Sequence, residues 1–168
     1  PAPVNSAAFT AYGGYRGNIA GARYVRLNFN PTTNGTKVSQ DNFCAIIGVG
    51  DAVAADTFDF GAASGSTTYL LLQRKSTAAQ FFCNAAGGVT VTSTMAGGHI
   101  AMSRTAGNAY KVLTNYVGEA TKTTASNGLV NNELYACGYN NKGTPHISER
   151  TVRYLMVLSA LTEMEISD

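Results

Sequence analysis

The chain has 168 residues, of which only 13% are charged, and its 12 basic and 10 acidic side chains give a formal net charge of +2. This length fits a single domain with a sizeable hydrophobic core. The basic residues are dispersed, which argues against the clustered positive surface that nucleic-acid binding requires. No run approaches the roughly 20 apolar residues of a membrane span. We predict one domain over residues 1–168, taken from a longer or processed chain because the sequence begins P-A-P-V-N-S without Met.

Short β-type segments follow one another along the chain, with almost no helical periodicity. In the first, at 22–29, Arg26 and Asn28 alternate with Leu27 and Phe29, so one face is polar. Further strands are predicted at 42–49, 68–74, 79–83, 88–94, 99–105, 109–115, 117–123, 133–139 and 151–158. Turn-forming residues separate them at 30–35, 61–66, 86–88, 106–108 and 126–128.

The second half of the chain contains the clearest elements. The segments 99–105, 109–115 and 117–123 are joined by short turns and predict an antiparallel meander. The last strand, V-R-Y-L-M-V-L, is apolar nearly throughout, as in a central strand covered on both faces. Thr162 with Glu165 three residues later predicts a capping box and a short C-terminal helical turn. So many strands pack most economically as an all-β, two-sheet antiparallel β-sandwich or jelly roll.

Three cysteines lie far apart in apolar runs, without the C-x-x-C spacing of a zinc site. An odd number of widely spaced cysteines also argues against a disulfide framework. We interpret them as buried thiols that act as small core residues in a reducing compartment. The alternative is a catalytic thiolate, which would need a histidine partner. The residues are Cys44, Cys83 and Cys137.

The ordered segments between 98 and 168 resemble a known family. They are S-R-T, the run L-Y-A-C-G-Y-N-N-K-G-T-P, S-E-R, an apolar strand and L-T-E-M-E. This order is similar to concanavalin A-like (laminin-G-like) jelly-roll domains, which occur in bacteriophage virion and tail proteins and in bacterial surface proteins. The resemblance implies a lectin-like sandwich that binds glycans or anchors a larger assembly. It implies no single activity, because this fold carries lectins, glycosidases and structural modules.

No catalytic pattern emerges from the carboxylates or the histidines. Glycosidases of this fold place paired carboxylates about 5 Å apart on one strand, whereas the acids at 163, 165 and 168 belong to the C-terminal helical turn. The stretch G-A-A-S-G at 61–65 misses the spacing of a serine-hydrolase elbow. His99 and His146 have no catalytic partner nearby in the sequence. We predict a non-enzymatic protein, with a glycoside hydrolase as the less favoured alternative.

Calcium is the metal that this fold would use, through oxygen ligands in loops. Candidate ligands are Asp51, Asp56 and Asp59, or Asp41 with Asn42. Solvated loop carboxylates explain the same residues without a metal. We therefore predict no cofactor, with a structural calcium ion as the alternative.

The stretch Y-N-N-K-G-T-P at 139–145 combines turn-forming residues with ligand-binding ones. Asn and Gly tolerate positive φ and Pro145 stops a strand ladder, so a connecting turn is the favoured interpretation. The alternative is a recognition loop, because binding residues concentrate on loops held by a rigid scaffold. The candidate carbohydrate site is Tyr139, Asn140, Asn141, Lys142 and His146, flanked by Arg104 and Tyr110.

The functional prediction is a structural or attachment domain of a phage virion or tail, made in the bacterial cytoplasm. Its expected partners are other virion proteins, copies of itself, and host-surface carbohydrate. The alternative is a carbohydrate-binding module on the bacterial cell surface or secreted from the cell. The weakly charged surface favours assembly slightly, because few charged side chains would lose water on contact.

Overall fold

The computed structural model describes residues 2–5, 8–10, 13–50, 57–74, 78–91, 97–115, 117–118 and 121–167. Within these ranges the chain forms seventeen strands, arranged in two sheets, and two short helices. The sheets pack face to face around one apolar core, so the predicted all-β sandwich is confirmed. Neither described helix is long and apolar enough to cross a membrane.

The first sheet has nine strands, antiparallel except where β15 runs parallel to β6. Seven of them follow the order β1-β4-β14-β6-β7-β8-β9, and the β15–β16 hairpin joins at β6. The bounds are β1 Ala2–Val4, β4 Tyr24–Arg26, β6 Thr57–Ser64, β7 Thr68–Arg74, β8 Ala79–Ala85, β9 Val89–Val91, β14 Tyr135–Ala136, β15 Gly138–Asn141 and β16 Thr144–Ile147.

The second sheet has eight strands in the order β12-β11-β10-β5-β17-β3-β2, and β13 also pairs with β11. The predicted meander is confirmed, since β10 pairs with β11, and β11 pairs with both short strands that follow it. The bounds are β2 Ala8–Thr10, β3 Gly14–Arg16, β5 Phe43–Val49, β10 Gly98–Ala106, β11 Ala109–Thr114, β12 Val117–Gly118, β13 Lys122–Thr123 and β17 Thr151–Leu158.

Alternation along the strands divides each sheet into an inner and an outer face. In β7, Leu70 and Leu72 belong to the core between the sheets, whereas Leu71 belongs to a separate cluster on the outer face. A third cluster covers the outer face of the second sheet, where Ile166 of the C-terminal helix packs against Leu113. The first sheet therefore presents a distinct outer face that no helix among the described residues covers.

Both helices begin with side-chain caps. Helix α1, Pro31–Asn34, lies where only a turn was predicted; Asn30 caps it by accepting a hydrogen bond from the Thr32 N–H. Helix α2, Glu163–Ser167, has the predicted capping box, because Thr162 and Glu165 exchange hydrogen bonds with each other's backbone N–H. These bonds lower the pKa of the Glu165 carboxyl.

Two predicted segments, the turn at 61–66 and the strand at 133–139, were wrong. Residues 61–64 lie inside β6, and the turn follows at 65–67, because the small side chains of this strand are fully buried between packed layers. Gly61 is required there, since its φ is +143° and a Cβ would collide with the Leu70 carbonyl oxygen. The segment 133–139 is not one strand; β14 ends at Ala136, and Cys137, whose φ is +60°, redirects the chain into β15.

The last strand, β17, is also less covered than its composition indicates. It pairs with β5 over most of its length but with β3 only at Thr151 and Val152. Met156 and Leu158 on its outer face are 44% and 37% exposed. The prediction of a strand covered on both faces was therefore wrong, because apolar residues along this strand are partly open to solvent.

Candidate functional site

The stretch at 139–145 forms a β-hairpin that projects from the first sheet. Strand β15 pairs with β16 through a two-residue connection, Lys142 and Gly143, whose φ values are +56° and +96°. Positive φ at both central residues is typical of the tight turns that join twisted strands. Pro145 was predicted to end the strand ladder, but it lies within β16. Among the described strands, β16 pairs only with β15.

Asn140 stabilises this hairpin from inside. Its side chain is 3% exposed, donates a hydrogen bond to the Glu133 carbonyl at 2.9 Å and accepts one from the Gly143 N–H at 2.7 Å. Both ends of the amide are thus engaged by the protein. Asn140 therefore serves the connecting turn. A ligand would have to contact other residues of the hairpin.

An aromatic surface lies beside the hairpin on the outer face of the first sheet. Its members come from β6, β7, β8 and β15 and pack around Ala63 and Leu71. The ring centroids of Phe58 and Tyr139 are 4.4 Å apart, and those of Tyr69 and Phe82 are 5.7 Å apart. We define the aromatic surface as Phe58, Tyr69, Phe82 and Tyr139. Three of the four rings are half-buried, which leaves part of each ring open to solvent.

Polar groups surround the aromatic surface. The exposed His146 lies 4.8 Å from the Tyr139 ring, between centroids, and its Nε2 is 3.2 Å from the Asn141 amide nitrogen. Lys142 is exposed at the hairpin turn. Burial, and then the neighbouring Tyr69, raises the pKa of the Tyr139 phenol, so this hydroxyl is a neutral hydrogen-bond donor near pH 7. The structure thus brings together the predicted residues Tyr139, Asn141, Lys142 and His146.

Arg104 and Tyr110 lie elsewhere, which corrects their predicted role as flanking residues. They belong to the second sheet and are 0% and 1% exposed. The Arg104 Nε donates to the Cys83 carbonyl oxygen at 2.8 Å, and its guanidinium lies over the Tyr110 ring. The Tyr110 hydroxyl donates to the Phe81 carbonyl oxygen at 2.8 Å. Both side chains hold the two sheets together and do not reach the aromatic surface.

Asp59, a candidate ligand for the alternative calcium site, does not lie in an open loop. It is fully buried and accepts two hydrogen bonds of 2.7 Å from Arg74. Because the guanidinium occupies both carboxylate oxygens, Asp59 has no free edge for a cation. Asp51 and Asp56 lie outside the described residues. Within the described part of the chain, no group of three or more His, Cys, Asp or Glu side chains could hold a metal ion.

The second metal candidate includes Asn42, which is exposed, whereas the three thiols are buried. The Asn42 side chain bonds to the Lys37 carbonyl and to the Ala160 N–H, so it serves the fold. The prediction of buried thiols is confirmed. Burial raises the thiol pKa of Cys44 to about 11, and those of the other two to about 12, so none forms a reactive thiolate at neutral pH. The buried residues are Cys44, Cys83 and Cys137.

Sequence analysis missed three of the four rings of the aromatic surface. The signal was present: in Y-L-L-L-Q and Q-F-F-C, the residues that alternate with core positions are Tyr69, Leu71 and Phe82. An outer face of a solvated sheet is expected to be polar. Aromatic residues at such positions mark an exposed apolar patch, which is typical of interaction sites.

The same face carries a second aromatic pair. Tyr24 of β4 and Tyr135 of β14 lie 4.8 Å apart between ring centroids. Beside them Arg26 forms an ion pair with Glu133, whose other carboxylate oxygen accepts a hydrogen bond from the Asn28 N–H at 2.8 Å. This Glu133 is therefore occupied by structural partners.

No protein-family model and no curated protein sequence matches this chain. Solved structures do match it. A carbohydrate-binding module, the CBM40 of Ruminococcus gnavus IT-sialidase bound to α2,3-sialyllactose, superposes with a TM-score of 0.60 at 12% identity, over 86% of this chain and 90% of the module. The binding domain of botulinum neurotoxin serotype D gives 0.60 at 7% identity, over 86% of this chain and 38% of the toxin domain. Trypanosoma rangeli sialidase superposes with a TM-score of 0.61 at 14% identity, over 92% of this chain and 26% of the sialidase.

The chain shares the jelly-roll β-sandwich fold of these domains. It spans well under half of the toxin domain and of the sialidase, but nearly the whole of the R. gnavus module. At these identities the likeness establishes the fold. The predicted two-sheet jelly-roll β-sandwich is thus confirmed as a fold.

Proposed function

We propose that this protein is a non-catalytic carbohydrate-binding module that holds a glycan on the aromatic surface and the β15–β16 hairpin. The observation that carries the proposal is the contiguous set of four aromatic rings on an outer sheet face that is otherwise expected to be polar. Similar folds in a sialidase module bound to sialyllactose support the same class of ligand.

The chemistry of the surface fits a sugar. The partly open rings offer flat apolar faces for the C–H side of a pyranose, while neighbouring donors and acceptors satisfy its hydroxyls. His146, Asn141 and Lys142 supply these polar groups at one end. Gln73 and Gln80, which face each other on β7 and β8, supply amides at the other. The sheet fixes the rings before binding, so little conformational entropy is lost when the ligand docks.

A non-catalytic role agrees with the state of the described carboxylates. Asp59 and Glu133 are each paired with an arginine, and Glu133 also accepts a hydrogen bond from the Asn28 N–H. A glycosidase requires two carboxylates that are available to the same sugar bond, and these two are engaged by arginines. No cofactor enters the proposal, and a structural calcium ion stays an alternative to be tested by chelation.

The virion assignment is the second candidate. It is supported by the resemblance of residues 98–168 to phage jelly-roll domains, and by a surface with few charged residues to desolvate on assembly. In this setting the single domain would belong to a virion or tail and contact other virion proteins, copies of itself, or a host glycan. As a bacterial module it would act at the cell surface or after secretion.

A glycan array on the purified protein, with and without calcium, tests the proposal. We expect saturable binding that Tyr69→Ala and His146→Ala each weaken by about tenfold, the equivalent of roughly 1.4 kcal/mol for one lost aromatic or polar contact. Loss of binding after a chelator removes calcium would show that a calcium ion takes part in the site.

Matched controls are available on the same protein. Tyr24→Ala is the control for Tyr69→Ala, because it removes an aromatic ring of the same sheet outside the aromatic surface. Lys37→Ala is the control for His146→Ala, because it removes an exposed polar side chain outside the proposed site. Circular dichroism must show that every variant is folded. A silent array, or binding that survives Tyr69→Ala and His146→Ala unchanged, would overturn the proposal and favour the virion role.

A further inference from the structure

A row of apolar residues crosses the strands of the aromatic surface. Phe82 of β8 pairs with Leu71 of β7, and Leu71 pairs with Gly61 of β6. The parallel ladder between β15 and β6 places Tyr139 level with Gly61. This first row therefore runs from the β15–β16 hairpin to β8, with an aromatic ring at each end.

A second row runs beside the first, two residues further along β7. Gln73 of β7 pairs with Phe58 of β6 on one side and with Gln80 of β8 on the other, and Gln80 pairs with Thr90 of β9. Both glutamine side chains are half-buried, and their amides make no hydrogen bond within the described part of the chain. An apolar row and a row with two unengaged amides thus run across the sheet in the same direction.

Phe82 and Gln80 meet at Gly88. A Cβ at this position would lie 2.5 Å from the Phe82 ring and 2.8 Å from the Gln80 side chain, so glycine leaves the space that both side chains occupy. The neighbouring Tyr69 ring is held in place, because its hydroxyl donates to the Ser66 carbonyl oxygen at 3.1 Å. Phe82 and Gln80 therefore form a second contact point for a ligand, separate from the hairpin.

The hairpin and this second contact point are far apart. Strands β6 and β7 lie between β15 and β8. Three strand spacings of about 4.8 Å separate the two points by roughly 14 Å. A pyranose ring is about as wide as one aromatic ring, so a single sugar unit reaches only one of them. A ligand that contacts both must be a chain.

The polar groups of the two rows fit uncharged sugar units. Neither row contains a charged side chain. Amides both donate and accept hydrogen bonds, as hydroxyl groups do, whereas a carboxylate over β7 and β8 would lose water without gaining a counter-charge. At the hairpin, Lys142 is exposed and hydrated, so it needs no counter-charge from the ligand. A neutral chain satisfies both ends.

We propose that the ligand is a neutral oligosaccharide of at least three sugar units that lies across β15, β6, β7 and β8. This inference rests on the proposed function, because it concerns the same aromatic surface. The outer units stack on Tyr139 and Phe82, and the middle unit lies over Leu71. Hydroxyl groups along one side of the chain bond to Gln73 and Gln80. Contact at both points within one complex raises the affinity above that of either point alone.

NMR titration of the full chain tests this inference. The probes are neutral oligosaccharides of one to five units, linked as in cellulose, starch and chitin, and 3′-sialyllactose is the charged comparison. With three or more units, the side-chain amide signals of Asn141 and Gln80 should titrate with one common dissociation constant. This constant should be at least tenfold lower than that of the monosaccharide.

Variants identify the second contact point. Phe82→Ala should raise the dissociation constant of the four-unit chain at least tenfold and leave monosaccharide binding at the hairpin unchanged. Gln80→Ala should weaken the four-unit chain in the same way, and it removes no core side chain, so it serves if Phe82→Ala does not fold. Tyr24→Ala is the matched control, because this ring lies on the same face outside both rows; it should leave every dissociation constant unchanged.

The outcomes separate this inference from the proposed function. Equal dissociation constants for one and four units would overturn the inference, as would signals of Gln73 and Gln80 that do not move. Binding of sialyllactose or of other array glycans without any neutral probe would also overturn it. In each of these cases carbohydrate binding itself stands. A silent array together with silent titrations would refute the proposed function, and this inference with it.

Discussion

Removing the carboxylate of Asp59 should destabilise the protein strongly. Asp59 and Arg74 are 0% and 1% exposed, and two hydrogen bonds of 2.7 Å join them. Arg74 also donates to the Gly50 carbonyl oxygen at 3.0 Å. Asp59→Asn keeps the shape of the side chain but leaves the guanidinium buried without a counter-charge. Such a change costs about 3–5 kcal/mol, or about 6–20 °C in Tm for a chain of this size.

Urea denaturation followed by circular dichroism measures this loss. A double-mutant cycle with Arg74→Met measures the interaction energy of the ion pair, because the double variant has neither charge and so leaves no unpaired charge in the core. The double variant should be more stable than the sum of the two single losses predicts, by at least about 1 kcal/mol.

The measurement also tests the alternative role of Asp59. If Asp59 bound calcium, added calcium would stabilise the wild type and not Asp59→Asn. A loss below about 1 kcal/mol for Asp59→Asn would contradict the reasoning, since it would show that the ion pair is hydrated like a surface pair.

Three further predictions concern groups that the fold positions. Tyr110→Phe should lower the free energy of unfolding, measured by urea denaturation, by about 1–2 kcal/mol, because the buried Phe81 carbonyl oxygen loses the hydroxyl that donates to it. An unchanged free energy of unfolding would show that another donor replaces this hydroxyl. Thr162→Ala should raise the pKa of Glu165 toward its ordinary value, since the capping hydroxyl that bonds to the carboxylate is lost, and NMR titration reads this directly. The three buried thiols have folded pKa values raised above the ordinary 9.0, to about 11 for Cys44 and about 12 for the other two. Their contribution to stability should therefore be complete below pH 9 and decline as the pH rises through these values, and alkylation at pH 8 should require unfolding. Rapid alkylation of the native protein would refute the burial of these cysteines.

The sequence carried enough information for the fold class and for the best-defined strands. The short turn between 99–105 and 109–115 predicted that these segments pair as consecutive strands, and the predicted pairing is confirmed. The capping box of Thr162 and Glu165 is local chemistry, and it was found because its residues are three apart. Signals of this kind involve residues only a few positions apart, so the sequence alone contains them.

Strand β6 shows why other elements escaped prediction. Its run G-A-A-S has the composition of a turn, yet it lies in the sheet with Ala62 and Ala63 fully buried. Small residues are needed there because β7 and the hairpin pack closely on it. Only the tertiary neighbours reveal this requirement, so local propensity was overridden.

The candidate site also has residues that the sequence indicated and residues that only the structure shows. Local sequence indicated the hairpin residues Tyr139, Asn141, Lys142 and His146, because turn-forming and ligand-binding types cluster there. It also grouped Arg104 with them, although the structure buries Arg104 in the other sheet. The chain by itself determined an alternating, weakly charged all-β sandwich. Only the tertiary structure decided which alternating residues form an outer aromatic surface, because this depends on contacts between residues far apart in the sequence.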